Sequence, residues 1–264
     1  MPVTLARAEV DRLAEQLHRA QRQARPIPPL TDAHPGLTED DAYEIQASLI
    51  RRRLAEGESV IGAKLGFTSR AMREALGVDH PNHGWLTDAM VVEDGLVRAD
   101  DLIHPKVEPE VGFLLGRELA GPSVTAAEVL AATRAVFACL EVVDSRFVDF
   151  RFRAADNTAD DSSAARVVVG PAVARPEGLD MRHVGVAMWM DGELVTTGAG
   201  AAAAGHPLAA VAWLARDLHR RGAALHRGSV VISGGLTAPA DLRPGTVVRA
   251  EFAGLGVVSV HMEG

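Results

Sequence analysis

Glu108 and Glu110 lie two residues apart in the run His104-Pro105-Lys106-Val107-Glu108-Pro109-Glu110-Val111. On a strand they project from one face, with Cα atoms about 6–7 Å apart. The residues that follow, Val111 to Leu115, are apolar, so the segment heads for the interior. Two carboxylates beside a buried segment repel each other unless a cation sits between them. An all-oxygen donor set favours Mg2+ or Mn2+. The competing explanation for an isolated Glu-x-Glu is a solvated edge strand, with Pro109 blocking pairing. Glu141 adds a third carboxylate, inside the apolar run Cys139-Leu140-Glu141-Val142-Val143. A lone Glu there is costly unless paired or metal-bound; a salt bridge to Arg146 is the alternative to a metal. Three carboxylates would leave coordination positions open for water and substrate, as a catalytic metal requires. Lys64, in Gly62-Ala63-Lys64-Leu65-Gly66, shares a strand face with two glycines, which let backbone or ligand approach closely. A lysine so placed suits an anionic substrate or acid–base work, or is simply an exposed lysine between turns. The polar stretch Asp156–Ser163 lines a site or forms a surface loop. Cys139, the one cysteine, reads as a core residue.

These residues need a scaffold of strands. The first part of the chain reads as helical, with Ala6, Val10, Leu13 and Leu17 at helical spacing between Thr4 and about Arg22. A proline-rich loop follows. Thr38 then caps a second helix, with Asp41 at its third position and Ala42, Ile45, Leu49 and Leu54 as its apolar stripe, stopping near Gly57. From Val60 onward, short apolar runs separated by Gly, Pro and Asp predict strands at Val60–Gly66, Val107–Leu115, Cys139–Asp144, Val167–Val169, Val184–Met190, Gly192–Thr196, Val230–Ser233, Val247–Phe252 and Val257–Met262. Asp191-Gly192 is a hairpin signal. Two helices interrupt the strands. One runs from the capping box Thr125/Glu128 to about Phe137; the other is capped by His206, starts at Pro207 and stops at Gly222. Strict β-α alternation is absent, which argues against a doubly wound sheet. The expected fold class is α+β: a small helical N-terminal part, residues 1–59, joined to a mixed, mostly antiparallel β-rich catalytic domain, residues 60–264.

Composition narrows the function. The formal net charge of −8 argues against a protein that coats nucleic acid or anionic membrane. No apolar run approaches the length of a membrane span, and the charged start of the chain has no signal-peptide character, so the expected location is cytoplasmic. P-loop, dinucleotide and Gly-x-Ser-x-Gly motifs are absent.

Taken as an ordered set, several motifs resemble the hydratase/decarboxylase family of aromatic meta-cleavage pathways. They are Lys64-Leu65-Gly66-Phe67-Thr68-Ser69, Val107-Glu108-Pro109-Glu110, Leu140-Glu141-Val142-Val143-Asp144-Ser145-Arg146, Gly205-His206-Pro207-Leu208 and Gly234-Gly235-Leu236-Thr237. The likeness covers almost the whole chain. It implies a β-roll or barrel of the fumarylacetoacetase C-terminal type and an unsaturated 2-oxo acid substrate. It further implies Mg2+ or Mn2+ held by Glu108, Glu110 and Glu141, with Lys64, Ser163 and Asp160 as catalytic residues. Decarboxylation of 2-oxo-3-hexenedioate is the leading expectation, hydration of 2-hydroxypenta-2,4-dienoate or a longer 2-hydroxydienoate the alternative, and acylpyruvate hydrolysis a third. The resemblance also implies a homo-oligomer and a complex with a homologous hydratase. Two departures stand out. Asn82, in Pro81-Asn82-His83-Gly84, replaces an aspartate common in hydratases, and Asp161 replaces an asparagine of the Ala-Asp-Asn-x-Ser loop.

Overall fold

The computed structural model describes residues 3–264. Its helical start comprises α1 (Arg7–Arg22), α2 (Leu30–Ala33) and α3 (Glu39–Ala55). Val10, Leu13, Ala14 and Leu17 of α1 pack on Ala42, Ile45 and Leu49 of α3, in a core completed by Phe147 and Ala159 from the middle of the chain. The first helix begins at Arg7 rather than Thr4 because Asp41 claims the preceding backbone. Its carboxylate accepts from the amides of Thr4 (2.7 Å) and Leu5 (2.8 Å) and from the Thr4 hydroxyl (2.7 Å). The same carboxylate closes the capping box with Thr38 at the start of α3.

The chain continues through β1 (Val60–Gly66), α4 (Arg70–Leu76), β2 (Asn82–Thr87), β3 (Val91–Val92), β4 (Leu96–Arg98) and β5 (Lys106–Leu115). Next come α5 (Ala126–Ala132), β6 (Thr133–Val143), α6 (Ala154–Ala159), β7 (Ala164–Ala174), β8 (Gly185–Met190) and β9 (Glu193–Ala199). The last elements are α7 (Pro207–Arg220), β10 (Val230–Ile232), β11 (Ala240–Asp241), β12 (Val247–Phe252) and β13 (Gly256–Glu263). The Asp191-Gly192 hairpin forms as expected, with both residues at positive φ. The helix expected to reach Phe137 ends at Ala132 instead. Thr133 turns its hydroxyl back onto Val129 O, and Val136, Phe137 and Ala138 pair with Phe113, Gly112 and Val111. Ladder pairing in the core overrides the local helical pattern there.

One sheet runs in the order β2-β1-β10-β5-β6-β7-β3, with β11 added against β5; the other runs β4-β13-β12-β8-β9. Most pairings are antiparallel, but β1–β10, β13–β4 and β3–β7 are parallel. Alternation along β5 and β6 separates two tasks. Val111, Phe113, Leu140 and Val142 face the main core, shared with Val248, Ala250 and Val260 of the second sheet. Glu108, Glu110 and Glu141 face the other way. No helix among the described residues is long and apolar enough to cross a membrane.

Asp41→Ala removes the cap of α3 and the anchor of the N-terminal segment together. We expect a loss of about 2–3 kcal/mol in urea unfolding. A change within experimental error would show that these bonds add nothing beyond what water supplies.

Candidate metal centre

Register brings the acidic residues together. Glu108 of β5 lies directly opposite Glu141 of β6, and Glu110 lies one pleat along, opposite Cys139. One oxygen from each of the three carboxylates falls within 4.8 Å of the others. Glu110 and Glu141 are fully buried, and Glu108 opens onto a cavity. Lys64 reaches the group from β1, which is linked to β5 through β10. Its Nζ lies 3.1 Å from Glu141 Oε2 and donates to the Ser162 carbonyl at 2.9 Å. The alternative partner for Glu141, Arg146, is occupied elsewhere by Asp160.

Three carboxylates against one ammonium leave two negative charges uncompensated when all are ionised. Glu110 Oε2 accepts from the Gly234 amide at 2.7 Å, but Glu110 Oε1 and Glu141 Oε1 are buried without a hydrogen-bond partner. Such orphaned anionic oxygens are expensive in a dry interior. Burial, reinforced by the Glu141 charge and opposed by Lys64, pushes the Glu108 pKa up to about 7. Glu110 is held well above the ordinary carboxylate range by burial and by both neighbouring carboxylates, and Glu141 is raised by burial against the pull of Lys64. Burial also disfavours the Lys64 ammonium, but the three glutamates outweigh it and hold its pKa above the ordinary value. A hard divalent cation fits this donor set: all oxygen, doubly negative in excess, and with only three protein ligands.

A cavity of about 530 Å3 opens beside the cluster. Its polar lining includes Lys64, Glu108, Asn157, Ser162 and Ser163; its apolar lining includes Phe67, Ala71, Met72, Ala75, Phe150 and Phe152. Lys64 is the one cationic side chain among the lining residues. Ser163 lines the cavity, its hydroxyl accepting from Asn157 Nδ2 at 2.9 Å. Asp160 does not line the cavity; its carboxylate takes both the backbone amide and the guanidinium of Arg146. Asn82 Nδ2 donates to Asn157 Oδ1 (2.9 Å) and Thr158 Oγ1 (3.0 Å), and its Oδ1 accepts from Ser162. Gly66 makes this crossing possible, because a Cβ there would lie 2.2 Å from Asn82 Oδ1 and 2.3 Å from Ser162 Oγ. Sequence reasoning missed Asn157, Ser162, Phe150 and Phe152 as individual lining residues. The polar stretch 156–163 was the available signal for the first two; the phenylalanines sit in a segment with no periodic pattern.

The folded cluster retains protons that the unfolded chain gives up. In metal-free protein its contribution to stability is therefore greatest below about pH 4.5 and is lost as pH rises through the raised Glu108 value near 7. Glu110→Gln removes one buried charge. The metal-free variant should melt higher than wild type at about pH 8 and alike at about pH 4.5, and should lose the thermal shift that millimolar Mg2+ gives wild type. Equal melting at both pH values would disprove the charge repulsion.

The fumarylacetoacetate (FAA) hydrolase C-terminal family matches residues 69–262. A 4-oxalocrotonate decarboxylase of Pseudomonas sp. strain CF600 is 40% identical over 259 residues, covering 98% of each chain. A 2-keto-4-pentenoate hydratase of Paraburkholderia xenovorans LB400 is 41% identical over 251 residues, covering 95% of this chain and 93% of the relative. Among solved structures, the 4-oxalocrotonate decarboxylase of Pseudomonas putida G7, complexed with magnesium and adipate, superposes with a TM-score of 0.97 at 38% identity, over 99% of this chain and all of the other. The β-roll fold, the motif set and these full-length likenesses agree: the chain belongs to the fumarylacetoacetate hydrolase C-terminal family, in its branch of hydratases and decarboxylases.

Proposed function

We propose that this chain is a Mg2+- or Mn2+-dependent lyase that decarboxylates 2-oxo-3-hexenedioate to 2-hydroxypenta-2,4-dienoate. The observation that carries the reading is the two-natured cavity: the Glu108 carboxylate of the acidic cluster on β5 and one buried ammonium on β1, and an aromatic and aliphatic lining from α4 and Phe150/Phe152. Decarboxylation asks for both. The C5–C6 bond breaks, its electron pair forms the C4–C5 double bond, and the C3–C4 pair shifts to C2–C3. Charge that began on the distal carboxylate ends on the C2 oxygen, and CO2 leaves neutral and apolar. An apolar wall around the departing carboxylate favours that loss of charge.

Glu108, Glu110 and Glu141 would hold the cation. When bound it supplies Lewis-acid polarisation of the 2-oxo acid end. Lys64 complements charge on the C2 oxygen and is placed to deliver its proton, its ammonium fixed by Glu141 and the Ser162 carbonyl. Ser163 and Asn157 form one hydrogen-bonded edge of the cavity and orient the substrate. Asp160 acts at one remove, by holding Arg146 under the turn that carries the serines. We further propose that the protein is cytoplasmic, forms a homo-oligomer and associates with a homologous hydratase.

A second reading, hydration of 2-hydroxypenta-2,4-dienoate or a longer 2-hydroxydienoate, draws on the hydratase relatives, which match as well as the decarboxylases do. Position 82 weighs against it: Asn82 is a neutral amide whose hydrogen bonds are taken by Asn157, Thr158 and Ser162.

Incubating the protein with each substrate, with and without Mg2+, separates the two. Mg2+-dependent CO2 release from the diacid is expected; loss of diene absorbance with no CO2 from the diacid would overturn the decarboxylase reading. Lys64→Ala should fold, bind Mg2+ and lose at least about 100-fold in kcat. Near-normal turnover in the folded variant would remove Lys64 from the chemistry.

A further inference from the structure

Asp161, Ser162 and Ser163 all adopt left-handed backbone angles (φ 54°, 53° and 57°), and none is glycine. L-residues resist that region, so three in succession must be imposed by their surroundings. Arg146 holds the start of the turn through Asp160. β2 presses on its middle, where a Cβ at Gly84 would lie 2.3 Å from the Asp161 carbonyl oxygen. Asp161 Oδ1 accepts from the Trp85 amide at 2.7 Å. Its Oδ2 is buried with no hydrogen bond, and the group facing it is Arg53 Nη1, at 3.9 Å.

Arg53 comes from α3, in the helical N-terminal part, and is only 2% exposed. Its Nη2 donates to Gln21 Oε1 of α1 at 2.6 Å, which leaves Nη1 toward the turn. In so dry a place an opposite charge at this distance acts strongly even without a direct hydrogen bond. The residue after Asp161 supplies the carbonyl that holds Lys64 Nζ. We propose that Arg53 is a positioning residue: paired with Asp161, it fixes the left-handed turn that presents the Ser162 carbonyl to Lys64. The helices thereby tune the reactive lysine without touching substrate. The kinetic consequence rests on the lyase reading above; the consequence for Lys64 itself does not.

The test is a double-mutant cycle of Arg53→Gln and Asp161→Asn, read in two ways. One readout is kcat and KM on the diacid, with Mg2+ affinity. The other is the rate at which acetic anhydride acetylates Lys64 in metal-free protein, followed by mass spectrometry. Arg53→Gln should lower kcat at least about tenfold, with KM and Mg2+ affinity within about threefold, and speed acetylation of Lys64 about fivefold or more. Asp161→Asn alone should act in the same direction, because it strands the guanidinium. The double variant, with neither charge, should return to within about threefold of wild type on both readouts. Single effects that multiply in the double variant, or unchanged acetylation in Arg53→Gln, would overturn the proposal. If Arg53→Gln does not fold, Asp161→Asn decides: it keeps the side chain's size and the Trp85 bond, and unaltered acetylation of Lys64 would overturn the proposal. Wild-type protein inert on both substrates would refute the lyase reading, while the acetylation rates would still judge the role of Arg53.

Discussion

The site depends on placing three carboxylates and one ammonium where water cannot reach most of them. Glu110 and Glu141 are enclosed by sheet, and Lys64 is nearly so. In that environment every unmatched charge is costly, and the same dryness makes each matched charge effective. The main core stabilises the molecule; the acidic cluster draws on that stability. Packing of Val111, Phe113, Leu140 and Val142 against the second sheet holds β5 and β6 rigid enough for their opposite faces to carry repelling groups. The division follows from the pleat alone, since neighbours along a strand point opposite ways.

The acidic trio was legible because a strand's period of two is simple. Glu108 and Glu110 had to share a face, and Glu141 in an apolar strand needed a partner. The β1 lysine was legible for a similar reason. The turn 160–163 was not. Its residues are ordinary polar ones, and the left-handed geometry of 161–163 is held by groups from distant parts of the chain, Arg146 through Asp160 and β2 through Gly84 and the Trp85 amide. Asp160 shows the limit clearly: two positions before the first serine, it faces away to Arg146. The end of α5 was misread because a local helical pattern in Thr133–Phe137 yields to ladder pairing with β5. The fold class was readable from the spacing of turn signals, whereas the parallel pairings of β1 with β10 and of β13 with β4 join segments far apart in sequence.

The N-terminal helices are bound to the rest by more than apolar packing. Their core includes Phe147 and Ala159, and Thr31 of α2 engages the Asp156 carboxylate through its amide (2.8 Å) and hydroxyl (2.7 Å). Gln46 of α3 donates to the carbonyls of His83 and Thr158, so one side chain links β2 to the site segment. Arg221, just past the end of α7, stacks over Tyr43 of α3 at 3.5 Å, and Tyr43 stacks on His83. The helical part thus buttresses the back of the segment whose front lines the cavity.

The pairing of β1 with β10 carries a kinetic corollary. Gly62, Ala63 and Lys64 find their neighbours in Val230, Val231 and Ile232, close to the far end of the chain. During synthesis one edge of the lysine strand can pair early with β2, while its other edge must wait for β10, far later in the sequence. Contacts of such wide sequence separation form late and slowly. The three carboxylates already meet in the β5–β6 pairing, whereas the lysine reaches them only once β10 has joined β1 to β5.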